Sequence, residues 1–312
     1  MNKDFLTIHD LSPDEVEHVL DLAAHLKAVQ ASGVPHRYLE GQTLGMIFEK
    51  SSTRTRVSFE VGMYQLGGSA LFLSSHDTQL GRGEPIKDTA RVLSRYLDGI
   101  MIRTFAHETA EELAKWADIP VINALTDLLH PCQVMADLLT MREHKGKNLS
   151  ELKVAFVGDG NNMANSYLYG AAKTGMTLAV ATPKTHQPNK TVVKNAMKDA
   201  KETGAKLILT DDPMEAVKDA DVIVTDTWAS MGQEAEHDKR KKIFAPYQVN
   251  KALLKKADRR AIVMHCLPAY RGEEITDAVF EANAGVIFDE AENRLHAQKA
   301  IMTLLMGLFH TF

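Results

Sequence analysis

Cysteine and long apolar runs are both scarce in this sequence. Only 2 of its 312 residues are cysteines, Cys132 and Cys266, and neither lies in a CxxC pair or in a His/Cys cluster with metal-ligand spacing. No apolar run approaches the roughly 18 residues that cross a bilayer, and the first residues lack the apolar centre of a signal peptide. We therefore expect a cytoplasmic protein without a disulfide framework, a structural zinc or a membrane span.

An excess of positive charge is also absent. The chain has 36 Lys and Arg against 41 Asp and Glu, which gives a net charge of −5 and a pI near 6.2. Such a chain has no global field that would hold nucleic acid or an anionic membrane, so an anionic ligand must be bound by local groups. With 45% apolar and 25% charged residues, the composition is that of an ordinary globular protein.

Short apolar runs alternate with longer amphipathic runs along the chain. This βαβα order predicts an α/β fold of two domains, each a parallel sheet flanked by helices. The polar stretch 143–150 contains a glycine and precedes a new strand, so we place the boundary there, with domains 1–148 and 149–312. A last helical stretch, about 292–312, has no strand after it and could pack on either domain.

The predicted strands are short and mostly apolar, and they cover residues 43–48, 70–73, 99–103, 121–123, 152–157, 177–181, 206–210, 221–225, 261–264 and 285–288. Helices are predicted between them, among others at residues 12–30, 53–66, 86–97, 108–116 and 162–173.

The strongest local signal is Ser51-Ser-Thr-Arg-Thr-Arg56, which stands between a predicted strand and a predicted helix. Unpaired N–H groups and the positive end of the helix dipole make a helix start an anion site. Ser52, Thr53 and Thr55 add hydroxyl donors, and Arg54 adds a planar fork that suits phosphate. The alternative is an ordinary N-cap with solvated arginines. Two arginines in a turn where the dipole disfavours cations favour anion binding.

Two further motifs place polar groups at the ends of predicted elements. Arg103 ends a strand, where charged residues of parallel sheets face the ligand crevice, although an arginine there is also often a surface residue. His130 precedes Pro131, which suits a first helical turn, and Gln133 comes two residues later. A neutral His and a Gln offer one acceptor and one donor to a small ligand with a carbonyl and an amide. The alternative is a helix-capping histidine with Gln133 in solvent.

Gly158-Asp-Gly-Asn-Asn162 comes after a strand and opens a helix, which suggests a dinucleotide site. The pattern fails in detail, because Met163 stands at the third glycine position and no acidic residue stands after the next strand to bind a ribose. We therefore expect no NAD enzyme.

Six motifs, in this order, resemble those of the ornithine carbamoyltransferases, within the aspartate/ornithine carbamoyltransferase superfamily. The resemblance spans nearly the whole chain, and the fourth and fifth motifs are typical of the ornithine type. The motifs are Ser-Thr-Arg-Thr-Arg at 52–56, His-Pro-Cys-Gln at 130–133, Gly158-Asp-Gly-Asn-Asn162, Asp226-Thr-Trp-Ala-Ser-Met-Gly232, His265-Cys-Leu-Pro268 and Glu290-Ala-Glu-Asn-Arg294.

The resemblance implies transfer of a carbamoyl group from carbamoyl phosphate to L-ornithine, with no metal and no cofactor. It implies a homotrimer in which the loop 78–85 reaches a neighbouring subunit's site. The carbamoyl phosphate contacts that it implies are Ser52, Thr53, Arg54, Thr55, Gln79, Arg103, His130, Pro131, Cys132, Gln133, Cys266, Leu267 and Arg294. The ornithine contacts that it implies are Asn162, Asp226, Ser230 and Met231. Catalytic roles are implied for Arg54, Arg103, His130, Gln133, Asp226 and Cys266.

Simpler interpretations of the same residues stay open. Taken alone, Asp226 caps a loop after a strand and Cys266 is a buried apolar filler. Tyr270 and Asn165 depart from the family pattern, where His is frequent at both positions, and we expect no change in activity. The acceptor could be putrescine or an acylated ornithine, although Ser230-Met-Gly232 favours unmodified ornithine. Outside the enzymes, the alternative is a ligand-binding paralogue without catalysis.

Overall fold

The computed structural model describes residues 2–74, 83–146, 148–229 and 237–307. The chain forms two compact units: unit 1 comprises Met1–Ala136 and Arg294–Phe312, and unit 2 comprises Asp137–Asn293. Within the described ranges, no helix combines the length and the apolar character that a membrane span requires. The predicted domain boundary near residue 148 stays a prediction, and each unit is described by itself.

Unit 1 is built on a parallel sheet whose described strands lie in the order β2-β1-β3-β4. Its strands are β1 (Thr43–Phe48), β2 (Ser69–Ser74), β3 (Gly99–Arg103) and β4 (Val121–Leu125). Its helices are α1 (Pro13–Ala31), α2 (Thr53–Gln65), α3 (Ile86–Leu93), α4 (His107–Trp116) and the start of α5 (Pro131–Lys145), with a short 3-10 turn at Ile8–Asp10.

The order of these strands determines where a ligand can bind in unit 1. After β1 the chain crosses to β2 on one side, and β3 and β4 extend the sheet on the other side, so the strand order reverses between β1 and β3. Phe48 and Arg103 are paired in register at the carboxyl ends of these two strands. In open α/β sheets the crevice beyond this reversal point is where ligands bind. The turn at 52–55 and Arg103 therefore share one end of the sheet.

Unit 2 repeats the same principle with strands in the order β7-β6-β5-β8-β9, all parallel. Its strands are β5 (Lys153–Val157), β6 (Thr177–Ala181), β7 (Lys206–Thr210), β8 (Val222–Thr225) and β9 (Ile262–His265). Its helices are the end of α5, α6 (Asn162–Thr174), α7 (Lys190–Thr203), α8 (Pro213–Val217), α9 (His237–Phe244), α10 (Lys251–Leu254), α11 (Asp277–Ala282) and the start of α12 (Ala284–Met306), with 3-10 turns at Leu149–Glu151 and Ala245–Tyr247. The order reverses between β5 and β8, whose ends carry Gly158 to Asn162 and Asp226.

The end of α12 belongs to unit 1. The Lys299 ammonium is fully buried and donates to the side-chain oxygens of Gln30 and Gln65 at 2.7 and 2.9 Å. A Cβ on Gly99 would lie 2.8 Å from the Met306 sulfur, so a larger residue at the start of β3 would collide with this helix. The fold class is confirmed: two parallel sheets flanked by helices, with a C-terminal helix that returns to the first unit.

The predicted strand at 285–288 is wrong, because these residues form the first turn of α12. A short apolar run does not distinguish a strand from a buried helix by itself. The burial pattern along α12 decides between the two: Ile287, Glu290, Arg294 and Ala297 are all buried, at the spacing of one helix face, whereas Phe288 is 56% exposed. The other predicted strands are confirmed within two residues at each end.

Candidate active site

The first helical turn of α2 lies at the carboxyl end of β1 and has the features that suit an anion. Ser52 is the N-cap in extended conformation, and its hydroxyl oxygen accepts the Thr55 N–H at 3.3 Å. The same hydroxyl donates to the Thr55 Oγ1 at 3.1 Å, and the Arg294 Nη2 donates to that oxygen at 2.9 Å. The remaining N–H groups of this turn point along the positive end of the helix dipole. The turn is thus preset for an anion.

Arg54 and Arg103 bring two further cations to this end of the sheet. Arg54 is half-buried in the first turn of α2, and its Nε has no hydrogen-bond partner among the described residues, although it is shielded from water. A buried guanidinium donor left in this way favours an acceptor supplied by a ligand. Arg103 is 7% exposed at the end of β3. Burial of an arginine without loss of its charge requires anionic or carbonyl partners.

His130 lies among three arginines. It is buried directly before α5, and burial lowers the pKa of its imidazole well below the usual value. The positive charges of Arg294, Arg103 and Arg54 lower this pKa further, in that order. The ring is therefore neutral at pH 7, which leaves one nitrogen as a donor and one as an acceptor. A neutral imidazole among three guanidinium groups suits a polar, uncharged part of an anionic ligand.

The remaining residues of the second motif divide between the site and the core. Pro131 is the first residue of α5, and Gln133 is buried two residues further along the helix. The Cys132 thiol points into the body of unit 1 and donates to the Asn123 carbonyl at 3.4 Å. Burial raises the pKa of this thiol to about 12. Cys132 is therefore inert as a nucleophile, and its contact with a ligand stays a prediction.

One hydrogen bond and one ion pair that the sequence did not single out join the segments that come after the strands. The Thr104 hydroxyl donates to the Glu49 carboxylate, and the Glu49 N–H donates to the Arg103 carbonyl at 2.9 Å. Lys50 is buried in an ion pair with Asp127. The first contact joins the residues directly after β1 and β3, and the ion pair joins the segments after β1 and β4, so together they fix the spacing between the α2 turn and Arg103.

Unit 2 presents a second polar site, centred on Asp226 after β8. Its carboxylate is 7% exposed and accepts the Asn161 Nδ2 at 2.8 Å, the Thr227 N–H at 2.7 Å and the Cys266 thiol at 3.2 Å. Asn161 also caps α6, because its side chain accepts the Met163 N–H at 3.0 Å. The three strand ends β5, β8 and β9 thus meet at one carboxylate, which suits an ammonium ligand.

Cys266 is a hydrogen-bond donor and not a thiolate. Burial raises the pKa of its thiol well above the usual value, and the acidic surroundings of Asp226, Glu290 and Asp137 raise it further. A thiol in that state is a weak nucleophile. Leu267 comes next with φ of 60°, in the left-handed region that costs a residue with a side chain roughly 1–2 kcal/mol. The turn after β9 is held in this conformation by its surroundings.

His265 is one of the residues that hold the turn after β9 in this conformation. The Leu267 N–H donates to the His265 Nδ1 at 3.0 Å, and the His265 Nε2 lies 2.9 Å from a Glu274 carboxylate oxygen. Since Nδ1 accepts, the proton of this ring is on Nε2. Both His265 and Glu274 are fully buried. The turn that carries Cys266 and Leu267 is therefore anchored on both sides.

The glycine motif after β5 is explained by the chain itself. A Cβ on Gly160 would lie 2.4 Å from backbone atoms of residues 186–188, so this glycine is needed where another segment passes. Asp159 is buried in an ion pair with Arg240, and burial raises the pKa of its carboxyl to about 6. Neither feature serves a dinucleotide phosphate. Asn162 is the first residue of α6 and is half-buried.

Three predicted contact residues, Gln79, Ser230 and Met231, lie outside the described residues. The two departures from the family pattern are both described. The Asn165 side chain accepts the Asn189 N–H at 2.9 Å and so serves as a support between α6 and the segment before α7. Tyr270 is 49% exposed, and its N–H donates to Glu274 at 2.6 Å.

The known proteins that resemble this chain all indicate the same family. Residues 3–143 match the carbamoyl-P binding domain of the aspartate/ornithine carbamoyltransferases, and residues 150–305 match their Asp/Orn binding domain. The chain belongs to the aspartate/ornithine carbamoyltransferase family. An ornithine carbamoyltransferase from Carboxydothermus hydrogenoformans is 61% identical over 305 residues, which cover 98% of each chain. One from Syntrophotalea carbinolica is 60% identical, over 98% of this chain and all of its own.

Solved structures extend the similarity to three dimensions. The ornithine carbamoyltransferase of Pyrococcus furiosus superposes with a TM-score of 0.94 at 54% identity, covering 97% of this chain and 96% of its own. The anabolic ornithine carbamoyltransferase of Campylobacter jejuni superposes with a TM-score of 0.92 at 46% identity, covering 97% and 98%. The resemblance seen in the six motifs is confirmed, and the protein is a carbamoyltransferase of the ornithine type.

Proposed function

We propose that this protein transfers the carbamoyl group of carbamoyl phosphate to the side-chain amine of L-ornithine, giving L-citrulline and phosphate. The observation that carries the proposal is the set of three arginines around neutral His130, beside a helix start whose hydroxyl groups are already oriented. Carbamoyl phosphate needs both parts: cations and N–H donors for its phosphate, and a neutral donor and acceptor for its amide.

In unit 1 the phosphate binds to the α2 turn. The phosphate oxygens are held by Ser52, Thr53, Arg54 and Thr55. Arg103 and Arg294 also bind the negative charge of this phosphate. His130 and Gln133 address the carbamoyl group, and Pro131 and Cys132 shape the backbone between them. Gln79, Cys266 and Leu267 complete the contacts that the family resemblance assigns to this ligand. Arg54, Arg103, His130 and Gln133 are the catalytic residues of this unit.

In unit 2 the amino acid binds around Asp226. We assign the ornithine ammonium to Asp226 and Ser230, the ornithine carboxylate to Asn162, and a backbone contact to Met231. The contacts that Asp226 receives from Asn161 and Cys266 orient its carboxylate and support the assignment. Cys266 acts by its hydrogen bond and forms no covalent intermediate, because its thiol is neutral.

The chemical step requires a neutral amine. An amine of this type has a pKa of about 10.4, so deprotonation at pH 7 costs about 4.6 kcal/mol. Desolvation and nearby cations lower that pKa and offset part of the cost. The amine nitrogen then attacks the carbamoyl carbon, the bond from carbon to the phosphate oxygen breaks, and the departing phosphate takes up the proton that the nitrogen loses. Arg103, His130 and Thr55 stabilise the oxyanion, while Arg54 neutralises the departing phosphate. The step needs no metal or organic cofactor.

Assembly, metabolic role and location are also proposals. We infer a homotrimer, or a multiple of trimers, in arginine metabolism in the cytoplasm, in line with the family resemblance. Size-exclusion chromatography with light scattering measures the first: about three chain masses supports it, and a monomeric active enzyme contradicts it.

The test of the function is citrulline formation from carbamoyl phosphate with L-ornithine, putrescine or an N-acylated ornithine as acceptor. Ornithine should give the highest kcat/KM. A higher value with either other amine would assign the protein to the alternative acceptor class. Binding of carbamoyl phosphate without turnover of any acceptor would support the ligand-binding paralogue instead.

A further inference from the structure

Two carboxyl groups lie in contact in the core of unit 2, behind the proposed ornithine site. Asp137 on α5 and Glu290 on α12 are both fully buried, and their carboxyl groups lie next to each other. Two ionised carboxylates at that distance would repel strongly in a medium of low dielectric constant. A pair that is stable in this position therefore contains a proton.

The hydrogen bonds around the pair show which carboxyl holds that proton. The Tyr167 hydroxyl donates to the Asp137 Oδ2 at 2.7 Å, which favours the ionised form of Asp137. The Glu290 Oε2 accepts the His265 N–H at 2.8 Å, whereas the Glu290 Oε1 is buried without a donor among the described residues. A proton on Oε1, donated to Asp137, gives this oxygen the partner that it lacks among the described residues. Burial and then the charge of Asp137 raise the pKa of Glu290 well above its usual value, in agreement with this arrangement.

The pair is connected directly to the site. The backbone N–H that Glu290 accepts belongs to His265, the residue before Cys266, and the Cys266 thiol donates to Asp226 at 3.2 Å. The titratable groups that face Glu290 come from four elements and are Asp137 on α5, Tyr167 on α6, Asp226 after β8 and Cys266 after β9.

We infer that Asp137 and Glu290 share one proton and form a positioning pair that holds the turn after β9, so that the Cys266 thiol stays on Asp226. The shared proton makes the contact attractive, and the one negative charge that remains favours a protonated thiol beside it. Glu290 acts through His265 and Cys266 and touches no substrate. The effect on kinetics rests on the proposed function, whereas the presence of a shared proton between Asp137 and Glu290 does not.

Infrared spectroscopy of the whole enzyme at pH 8 tests the proton without any assay of activity. At that pH exposed carboxyl groups are ionised, and so is Asp159, whose pKa lies at about 6. The wild type should show a protonated carboxylic acid C=O band that is lost in Glu290→Gln and kept in Asp289→Asn. Asp289 is the matched control, because it is the preceding residue of α12 and pairs with His144 in an exposed position. No such band, or its persistence in Glu290→Gln, overturns the inference.

Kinetics and alkylation test the positioning role. Gln has the donor and the acceptor of a protonated Glu, so Glu290→Gln should rescue what Glu290→Ala loses. In Glu290→Ala the His265 N–H is left without its acceptor, and we expect kcat to fall by about tenfold or more with a smaller change in KM. Iodoacetamide should then modify Cys266 faster, while Cys132 stays protected as an internal control for folding.

Equal loss of kcat in both variants, or unchanged alkylation of Cys266 in folded Glu290→Ala, would contradict the role. Absence of citrulline in the wild type would instead refute the proposed function and leave the infrared and alkylation results interpretable.

Discussion

Replacement of Arg54 by methionine is the perturbation that separates a phosphate site from a solvated helix start. Methionine keeps much of the apolar stem and removes the guanidinium fork. A hydrogen bond to a charged group contributes about 1.5–3 kcal/mol, so loss of a two-pronged grip costs about 3 kcal/mol at the lower end. That corresponds to a decrease of about 100-fold in kcat/KM for carbamoyl phosphate.

The matched control lies two residues along the same helix. Arg56 is exposed and pairs with Glu60 at 3.1 Å, one turn on, and surface pairs of this type contribute only about 0.3–0.5 kcal/mol. Initial rates with carbamoyl phosphate varied at saturating ornithine measure both variants. Arg56→Met should stay within about twofold of the wild type. Equal losses in Arg54→Met and Arg56→Met would refute the assignment, because general helix electrostatics would then explain both.

Three further outcomes are expected from buried groups. Cys266→Ser, which keeps a donor for Asp226, should retain more of kcat than Cys266→Ala. Cys132→Ser should change kcat less than either of these variants. Complete inactivity of Cys266→Ser alone would point to a covalent role. Asp159 is protonated on folding between about pH 4 and its folded pKa of about 6, so the free energy of unfolding should fall as pH rises through that window, and denaturant titrations of Asp159→Asn should lack this component. Burial lowers the pKa of Lys299 to about 8, so between about pH 8 and pH 10.4 the unfolded chain holds more protons than the folded chain. The free energy of unfolding should therefore rise with pH over that range, by up to about 3 kcal/mol. The same slope in Lys299→Met would exclude Lys299 as its origin.

The features that the sequence predicts well are local ones. The α2 turn is one continuous segment between β1 and α2, so its hydroxyl groups and Arg54 are placed together by the helix start alone. His130 and Pro131 are predictable for the same reason. A parallel sheet also places Arg103 and Asp226 at carboxyl ends of strands, which the βαβα pattern already indicates.

Contacts between distant segments could not be predicted from the pattern. Arg294 donates to Thr55 across 239 residues of chain, and only the return of α12 to unit 1 brings them together. Asn161, not singled out, is the residue whose amide reaches Asp226, because it occupies the N-cap that precedes Asn162. The strand predicted at 285–288 is wrong because burial of α12, and not local propensity, determines its conformation.

Buried acids are the other class that the sequence conceals. Glu290 belongs to a motif of the family, yet nothing in that motif shows that its carboxyl meets Asp137 or that its partner atom is the His265 N–H. Charged residues are usually exposed, so a pattern of residue types assigns them to the surface. Their role depends on packing among α5, α6, β9 and α12.

The most direct test of the account is a crystal of this enzyme soaked with carbamoyl phosphate. Density for the phosphate should lie against Ser52 to Thr55 at the start of α2, with the guanidinium of Arg54 on its oxygens and the carbamoyl group on the His130 side. A phosphate bound elsewhere in unit 1, with the α2 turn occupied by solvent alone, would contradict the central claim.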